Sequence, residues 1–259
     1  MSRKTKKIIL CGTGIKCISH VTVETKAAVK KADLVLYLVN EPIIEQWIQK
    51  QAKEATSLSD LYFSHSKRKE SYTAIKNKIL STLEKYGFVC VVIYGHPTVF
   101  ASPGLDAILE AKSLGVNCKI YPGISAEDCL FSDLMIDPGS RGCYSVEATE
   151  LLVCEKKFDT SSYLIIWQAG MIANIGMPSG SINLQALELL QSYLLKYYGP
   201  SHEVVLYEAS LYPKIEPKIV RFKLKELVAQ DLSTISTLVF CPCSKNNINQ
   251  KTLSDLNLV

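Results

Sequence analysis

The chain has 259 residues and a formal charge of +4, with 47% hydrophobic and 21% charged residues. A length of that order suits two domains of about 120 residues each, whose cores need no disulfide or metal staple. The balance excludes a disordered or fibrous chain, and the basic N-terminal cluster, "MSRKTKK", reads as a solvated terminus rather than a nucleic-acid arm.

"KKIILCGTG" predicts a short apolar strand ending in a tight turn at Gly12 and Gly14. "HVTVETKAAVKKA" follows with helical spacing, placing Val21, Thr25, Ala28 and Val29 on one side. "DLVLYLV" reads as a second buried strand, and "EPIIEQWIQKQA" as a helix with proline near its start, where the missing N–H costs nothing. "SYTAIKNKILSTLEKYG" is the next helix, with Gly87 as its expected C-cap. A strand over Phe88–Ile93, a helix over Leu105–Ser113 and a strand in "CKIYPG" complete the first half. This alternation predicts a mostly parallel sheet with helices on both faces.

After Pro122 and Gly123 the pattern begins again. "SAEDCLFSDLMI" reads as a helix, "SYLIIWQAG" as a buried strand, and "NLQALELLQSYLLKYYG" as a long helix closing at Gly199. Strands are expected in "EVVLYEAS", "IVRFKLKEL" and "STLVFCP". The fold class is therefore α/β, with two sheet-and-helix domains, residues 1–122 and 123–259, and a ligand cleft between them. In such folds ligands sit beyond the carboxyl ends of strands. Two of those ends are the turn at residues 12–14 and "YGHP" at residues 94–97.

Nine cysteines, mostly in apolar runs such as those around Cys90, Cys129 and Cys154, read as reduced, buried thiols. Cys241 and Cys243 stand too close together for a tetrahedral site by themselves, and no second pair completes one, so no metal is expected. No run of about 18 apolar residues and no signal-peptide core are present, and a cytoplasmic protein away from membranes is expected. The dinucleotide fingerprint fails, because its third glycine position is Cys17 and no acidic residue closes the second strand.

The strand followed by Gly-Thr-Gly, the middle strand ending in Gly-His-Pro and "PGISA" at residues 122–126 resemble the tetrapyrrole-methylase superfamily. "YGHPTVFASP", "YPGISAEDCLFSDLMIDP", "GCYSVEATELL", "LIIWQAG", "KYYGPSHEVVLYEAS" and "STISTLVF" resemble more narrowly the borosin α-N-methyltransferases, which methylate backbone amides of a ribosomal peptide. The resemblance runs from Ile8 to about Pro242. It implies S-adenosylmethionine as cofactor, with S-adenosylhomocysteine as product. It implies that Tyr94, His96, Val99 and Phe100 wrap the methionine part and that Ser125 and Ala126 bond it. Gln168, Tyr207, Ala209, Ser236 and Thr237 match positions near the adenine and ribose. Ser125 also reads as an N-cap, with Glu127 and Asp128 in the first turn of its helix.

"DLYFSHSKRKESYTAIK" holds Tyr62, Arg68 and Tyr72 within the helical segment 58–86. On composition alone Lys67, Arg68 and Lys69 are a solvated basic surface beside one packed tyrosine. The resemblance implies instead that the two tyrosines and the arginine face the reacting amide. A backbone amide nitrogen is a poor nucleophile because its lone pair is delocalised. A cation for the carbonyl oxygen and a phenol to take the proton, directly or through a water, suit that chemistry.

The resemblance further implies a homodimer, forming a heterotetramer with two precursor peptides. "NIGMPSG", "SLYPKIEP" and the region of residues 58–72 are candidate covers of a partner's site. Because the tail after the last strand is polar and lacks a Val/Ile-rich stretch, a split form acting on a separate precursor with leader and core is expected. The competing readings are a methyltransferase acting on a tetrapyrrole carbon and a cofactor-binding module without catalysis.

Overall fold

A computed structural model describes residues 6–174, 176, 182–245 and 248–258. The chain forms two compact units. The first comprises Met1–Met135, Ile175–Ser179 and Ala209–Pro217, and the second Ile136–Asn174, Gly180–Glu208 and Lys218–Val259.

In the first unit, strands β1 (Lys7–Gly12), β2 (Leu34–Leu38), β3 (Ala55–Ser57), β4 (Phe88–Ile93) and β5 (Asn117–Tyr121) form one sheet in the order β3-β2-β4-β1-β5. Every pairing is parallel. The helices are α1 (Val23–Lys31), α2 (Pro42–Gln51), α3 (Ser59–Phe63), α4 (Arg68–Lys85), α5 (Ser102–Ser113) and α6 (Ala126–Leu134). Successive strand side chains point to opposite faces, so a strand covered on both sides reads as one continuous apolar run. Ile8, Leu10, Val89 and Val91 pack with Ile75 and Ile79 of α4 and Ala107 of α5. Ile9, Cys11, Cys90 and Val92 pack on the other face with Val29 of α1 and Ile48 of α2.

The second unit contains α7 (Pro138–Arg141), β6 (Cys143–Glu147), α8 (Ala148–Val153), β7 (Tyr163–Trp167), α9 (Leu184–Leu194), β8 (Glu203–Glu208), β9 (Lys218–Lys223), β10 (Thr237–Phe240) and α10 (Gln250–Asp255). Its sheet runs β6-β7-β10-β8-β9. Only β6 and β7 pair parallel; β10 is antiparallel to both neighbours, as is β9 to β8. The second sheet is thus mixed, unlike the first.

Three expectations are corrected, and one strand–helix pair was not foreseen. The helix over residues 68–85 does not close on a left-handed Gly87; its C-cap is Tyr86, in extended backbone, and the Tyr86 N–H donates to the Thr82 carbonyl. The helix expected to reach Gly199 ends at Leu194, because the following turns bring Tyr198 inward to stack on Phe158 and Phe240. "GCYSVEATELL" forms a strand and a short helix that periodicity had not marked. The units part after Met135 rather than near Gly123. The 122–123 pair is a point of close packing within the first unit, where a Cβ on Gly123 would stand 2.7 Å from the Gly95 carbonyl oxygen.

The same contact holds the tops of β1 and β4 together. A Cβ on Gly12 would lie 2.1 Å from the Gly95 oxygen, whereas one on Gly87 would meet only Asp33 Oδ2 at 3.4 Å. Gly12→Ala is therefore expected to lower stability by about 3 kcal/mol, and Gly87→Ala to be neutral or stabilising by up to about 1 kcal/mol. Denaturant melts of the two variants check the contrast, and equal effects would contradict it.

Candidate functional site

The loop leaving β4 begins with main-chain pairing. The Tyr94 N–H donates to the Leu38 carbonyl at 3.1 Å, and Gly14 and Gly95 exchange two backbone hydrogen bonds of 3.1 Å each. Gly95 has φ +72°, the left-handed region that glycine adopts without strain. His96 Nδ1 accepts from the Thr98 N–H at 3.3 Å, which bends the loop back on itself. Val99 and Phe100 are then presented at 41% and 51% exposure, and Phe100 holds φ 51°, a strained value for an aromatic residue. Burial pushes the Tyr94 phenol up to about 12, helped by the charge of Cys129 and opposed by a hydrogen bond from Asn40.

Ser125 is buried and caps α6. Its hydroxyl accepts from the Asp128 N–H at 3.2 Å, while Asp128 Oδ2 accepts from the Ser125 N–H at 2.7 Å. The sequence-read N-cap is present, and Ala126 opens the helix beside it.

In the second unit Gln168 ends β7 in left-handed backbone. The next N–H, of Ala169, donates to the Ser236 carbonyl at 3.0 Å. Tyr207 and Thr237 face each other across β8 and β10, and both side chains are enclosed. Ser236 is also buried; its hydroxyl donates to Glu208 Oε1 at 2.5 Å, and Ser233 donates to the same oxygen at 2.8 Å. Gln168 and Ala209 keep partly open surface. The first unit holds Ala209, in the segment 209–217.

The third group of predicted residues lies at the start of α4, which has a short helix before it rather than a continuous one. Tyr62, on α3, sets its ring 6.2 Å from that of Tyr72 at an interplanar angle of 30°. Arg68 is the first residue of α4 and Tyr72 stands one turn on, so both side chains share a face. The guanidinium Nη2 donates to the Gly176 carbonyl at 3.3 Å, and Lys67 and Gly176 form an antiparallel bridge. The Tyr72 phenol is raised above its ordinary value by burial and then by Tyr62, while the charge of Arg68 pulls the other way. The structure thus brings Tyr62, Arg68 and Tyr72 together.

Of the three candidate covers, residues 175 and 177–180 of "NIGMPSG" lie outside the described residues. "SLYPKIEP" is fastened within the first unit: the Cys17 N–H donates to the Leu211 carbonyl at 2.8 Å, and the Tyr212 hydroxyl to Glu41 Oε1 at 2.7 Å. His20 Nδ1 accepts from the N–H groups of Ile15 and Lys16 at 3.3 and 3.1 Å, a structural task. No group of three or more His, Cys, Asp or Glu suited to a metal ion occurs among the described residues. No helix among them is long and apolar enough to cross a membrane.

Sequence reasoning missed Glu41, Glu208 and Gly176. Glu41 follows an apolar strand and precedes a proline, an N-cap signal that was available. Gly176 works through its carbonyl alone and carries no signal.

The family profile of the tetrapyrrole (corrin/porphyrin) methylases matches residues 7–228. The chain belongs to that family. A methyltransferase/ribosomally synthesized type I borosin cyclic peptide precursor from Gymnopilus junonius is 36% identical over 244 residues, covering 92% of this chain and 58% of that protein. A similar type I borosin precursor from Coprinopsis marcescibilis is 33% identical over 265 residues, covering 98% and 68%. The chain therefore spans about three fifths to two thirds of the length of these curated relatives. The crystal structure of uroporphyrin-III C-methyltransferase from Thermus thermophilus, complexed with S-adenosyl homocysteine, superposes with a TM-score of 0.60. At 17% identity, covering 91% of this chain and 92% of that one, the likeness shows the fold.

Glu41 supports a pH prediction. Burial alone would raise its carboxyl, but the donors Tyr212, Ile44, Ile43 and Cys17 together outweigh burial and hold it below the ordinary 4.5. A depressed folded value contributes stability above the unfolded value, and that contribution fades as pH falls through the folded one. Glu41→Gln is expected to lower the melting temperature at neutral pH, with the difference from wild type shrinking progressively below about pH 4.5. A difference that stays constant to the acid limit would contradict the charge-based account.

Proposed function

We propose that this chain is an S-adenosylmethionine-dependent methyltransferase whose acceptor is the backbone amide nitrogen of a peptide. The observation that carries the reading is the cluster of Tyr62, Arg68 and Tyr72 at the start of α4. The borosin relatives, whose names join a methyltransferase to a cyclic peptide precursor, support the peptide acceptor.

The first unit's residues suit the cofactor. Val99 and Phe100 offer exposed apolar and aromatic surface, and Tyr94 a ring face toward which a sulfonium is attracted. The start of α6, at Ser125 and Ala126, offers main-chain N–H groups for a carboxylate. Tyr94, His96, Val99, Phe100, Ser125 and Ala126 are the residues proposed to hold it. When bound, the cofactor supplies an electrophilic methyl group on sulfur.

The chain's own residues prepare the acceptor. Arg68, cationic at any working pH, faces the carbonyl oxygen and stabilises the negative charge that gathers there as the amide loses conjugation. Tyr72, as its phenolate, takes the N–H proton and becomes the neutral phenol. Tyr62 holds the carbonyl by a hydrogen bond and keeps the second ring in place. A tetrapyrrole carbon as acceptor would leave these three groups without a task.

The test is incubation with S-adenosylmethionine and a synthetic Val/Ile-rich peptide, read by fragmentation mass spectrometry. Methyl groups on backbone nitrogens are expected. Methylation of a uroporphyrinogen probe and not of the peptide would overturn the reading. Intact-mass analysis of the chain incubated alone separates an acceptor within residues 1–259 from one supplied separately. Tyr72→Phe should leave cofactor affinity unchanged by calorimetry and cut turnover by roughly 10²–10⁴-fold. Because the Tyr72 phenol is raised, its phenolate fraction, and with it the rate, should climb about tenfold per unit between roughly pH 7 and pH 9. A flat profile would remove Tyr72 as the base.

A further inference from the structure

The buried stripe of α4 reads Ser71, Ile75, Ile79, Thr82 and Leu83. Four of these positions lie where an amphipathic helix meets a core, and the first carries a hydroxyl where an alanine or aliphatic side chain would serve packing better. Buried hydroxyls in helices ordinarily relieve this cost by bonding a carbonyl of the preceding turn. The other hydroxyls of α4 do so: Thr73 donates to Lys69 at 3.0 Å, Ser81 to Lys78 at 2.9 Å and Thr82 to Ile79 at 2.6 Å. Ser71 does not. It is 0% exposed, and its Oγ has no hydrogen-bond partner among the described residues.

A complementary atom lies one turn before it. Arg68 Nε is buried and likewise has no acceptor among the described residues, although Nη2 of the same guanidinium donates to the Gly176 carbonyl. Arg68 and Ser71 are three positions apart, which places them side by side on the helix surface. One is a donor without an acceptor and the other a hydroxyl without any partner. Two buried polar groups left apart would each carry a desolvation cost, and a single interaction removes both.

We propose that the Ser71 hydroxyl is the acceptor for Arg68 Nε–H, directly on rotation of its side chain or through one buried water, and is thereby a positioning residue for the guanidinium. Gly176 holds one edge of the planar group and Ser71 the other, so that its face and its remaining N–H groups are aimed past Tyr72. Other charges do not take this role. Tyr62 from α3 and Arg68 itself are the groups that act on the Tyr72 phenol. On the α5 side Glu110 is engaged by Lys76 at 2.7 Å.

The inference rests on the catalytic task proposed above for Arg68 and Tyr72, and its first test is independent of that task. The sequence has four arginines, Arg3, Arg68, Arg141 and Arg221, so their side-chain Nε–H signals are few enough to resolve in a 15N spectrum. The Arg68 signal is assigned by its loss in Arg68→Lys. In wild type it is expected to be protected from exchange with water, and in Ser71→Ala to shift and lose that protection. Ser71→Ala leaves the buried Arg68 Nε–H without its acceptor and should melt somewhat below wild type, so the spectrum and kinetics are read at a temperature where circular dichroism shows both proteins folded. With S-adenosylmethionine and the Val/Ile-rich peptide, Ser71→Ala should lower kcat by about 10- to 100-fold with the KM for the cofactor unchanged. Ser71→Thr, which keeps the acceptor, should restore most of it. In an Arg68→Lys background Ser71→Ala should have no further effect. An unchanged Arg68 signal in Ser71→Ala would overturn the inference, as would unchanged kcat in an enzyme that does methylate the peptide. A wild type that methylates no peptide, with the Arg68 signal still dependent on Ser71, would instead sink the functional reading and leave the contact standing.

Discussion

The first unit depends on backbone meeting backbone. Gly12 ends β1, Gly95 follows β4 and Gly123 follows β5, and a Cβ on Gly12 or Gly123 would run into the carbonyl of Gly95. No side chain fits between these strand ends, so the loops that leave them depart from one tightly fixed point. Gly14 and Gly95 then lock two of those loops with a reciprocal pair of hydrogen bonds. A loop anchored this firmly can hold Phe100 in left-handed backbone and keep it exposed, because the cost of that strain is carried by the surrounding main chain. The same anchoring sets the start of α6, since Gly123 lies two residues before its cap Ser125.

Two carboxylates, the buried Glu41 and the half-buried Glu208, do comparable work for segments that have little regular structure. Glu41 caps α2 and receives Tyr212 and Cys17, which fastens the stretch after Ser210 to the unit that contains β1. Glu208 gathers Ser233, Ser236 and Lys218 on one oxygen and so fixes the turn that leads into β10. That turn cannot shift freely, because a Cβ on Gly170 would stand 1.9 Å from the Ser233 carbonyl oxygen. In each case several donors converge on one carboxylate, which offsets the cost of withdrawing it from water.

Strands β1, β2 and β4 were legible because they are covered on both faces and read as unbroken apolar runs such as Ile8–Cys11 and Val89–Ile93, whereas β3, three half-buried residues at an edge, was missed. The second sheet was harder, since β6 is an edge strand with polar and half-buried positions and β9 is mostly exposed. Alternation there is diluted by solvent, and strand direction leaves no mark in composition. Gly87 misled because a glycine after a helix suggests a left-handed cap, whereas here the backbone is already extended one residue earlier, at Tyr86. At the candidate site, the meeting of Tyr62 with Tyr72 depended on how the short helix α3 folds against α4. Residue spacing within α4 predicts the Arg68–Tyr72 pair, but nothing local predicts the approach of Gly176, more than a hundred positions away in the chain.

The start of α4 is also where local preference and structure disagree most. The N-terminus of a helix carries the positive end of the macrodipole and favours acidic or capping side chains, each worth about 0.3–1 kcal/mol. Here the cap position is Lys67, without a side-chain hydrogen bond, and Lys67, Arg68 and Lys69 stack three cations on that end against a single Glu70. A sequence shaped only for stability would not place them there, and such conflicts concentrate at functional positions. Of the three cations, Arg68 is the half-buried one, and its field is the one that reaches the Tyr72 phenol. That field opposes the upward push that burial gives the phenol, and it favours charge developing on a carbonyl oxygen more than the neutral ground state. The unfavourable helix start and the proposed catalysis are therefore two consequences of one arrangement of charge.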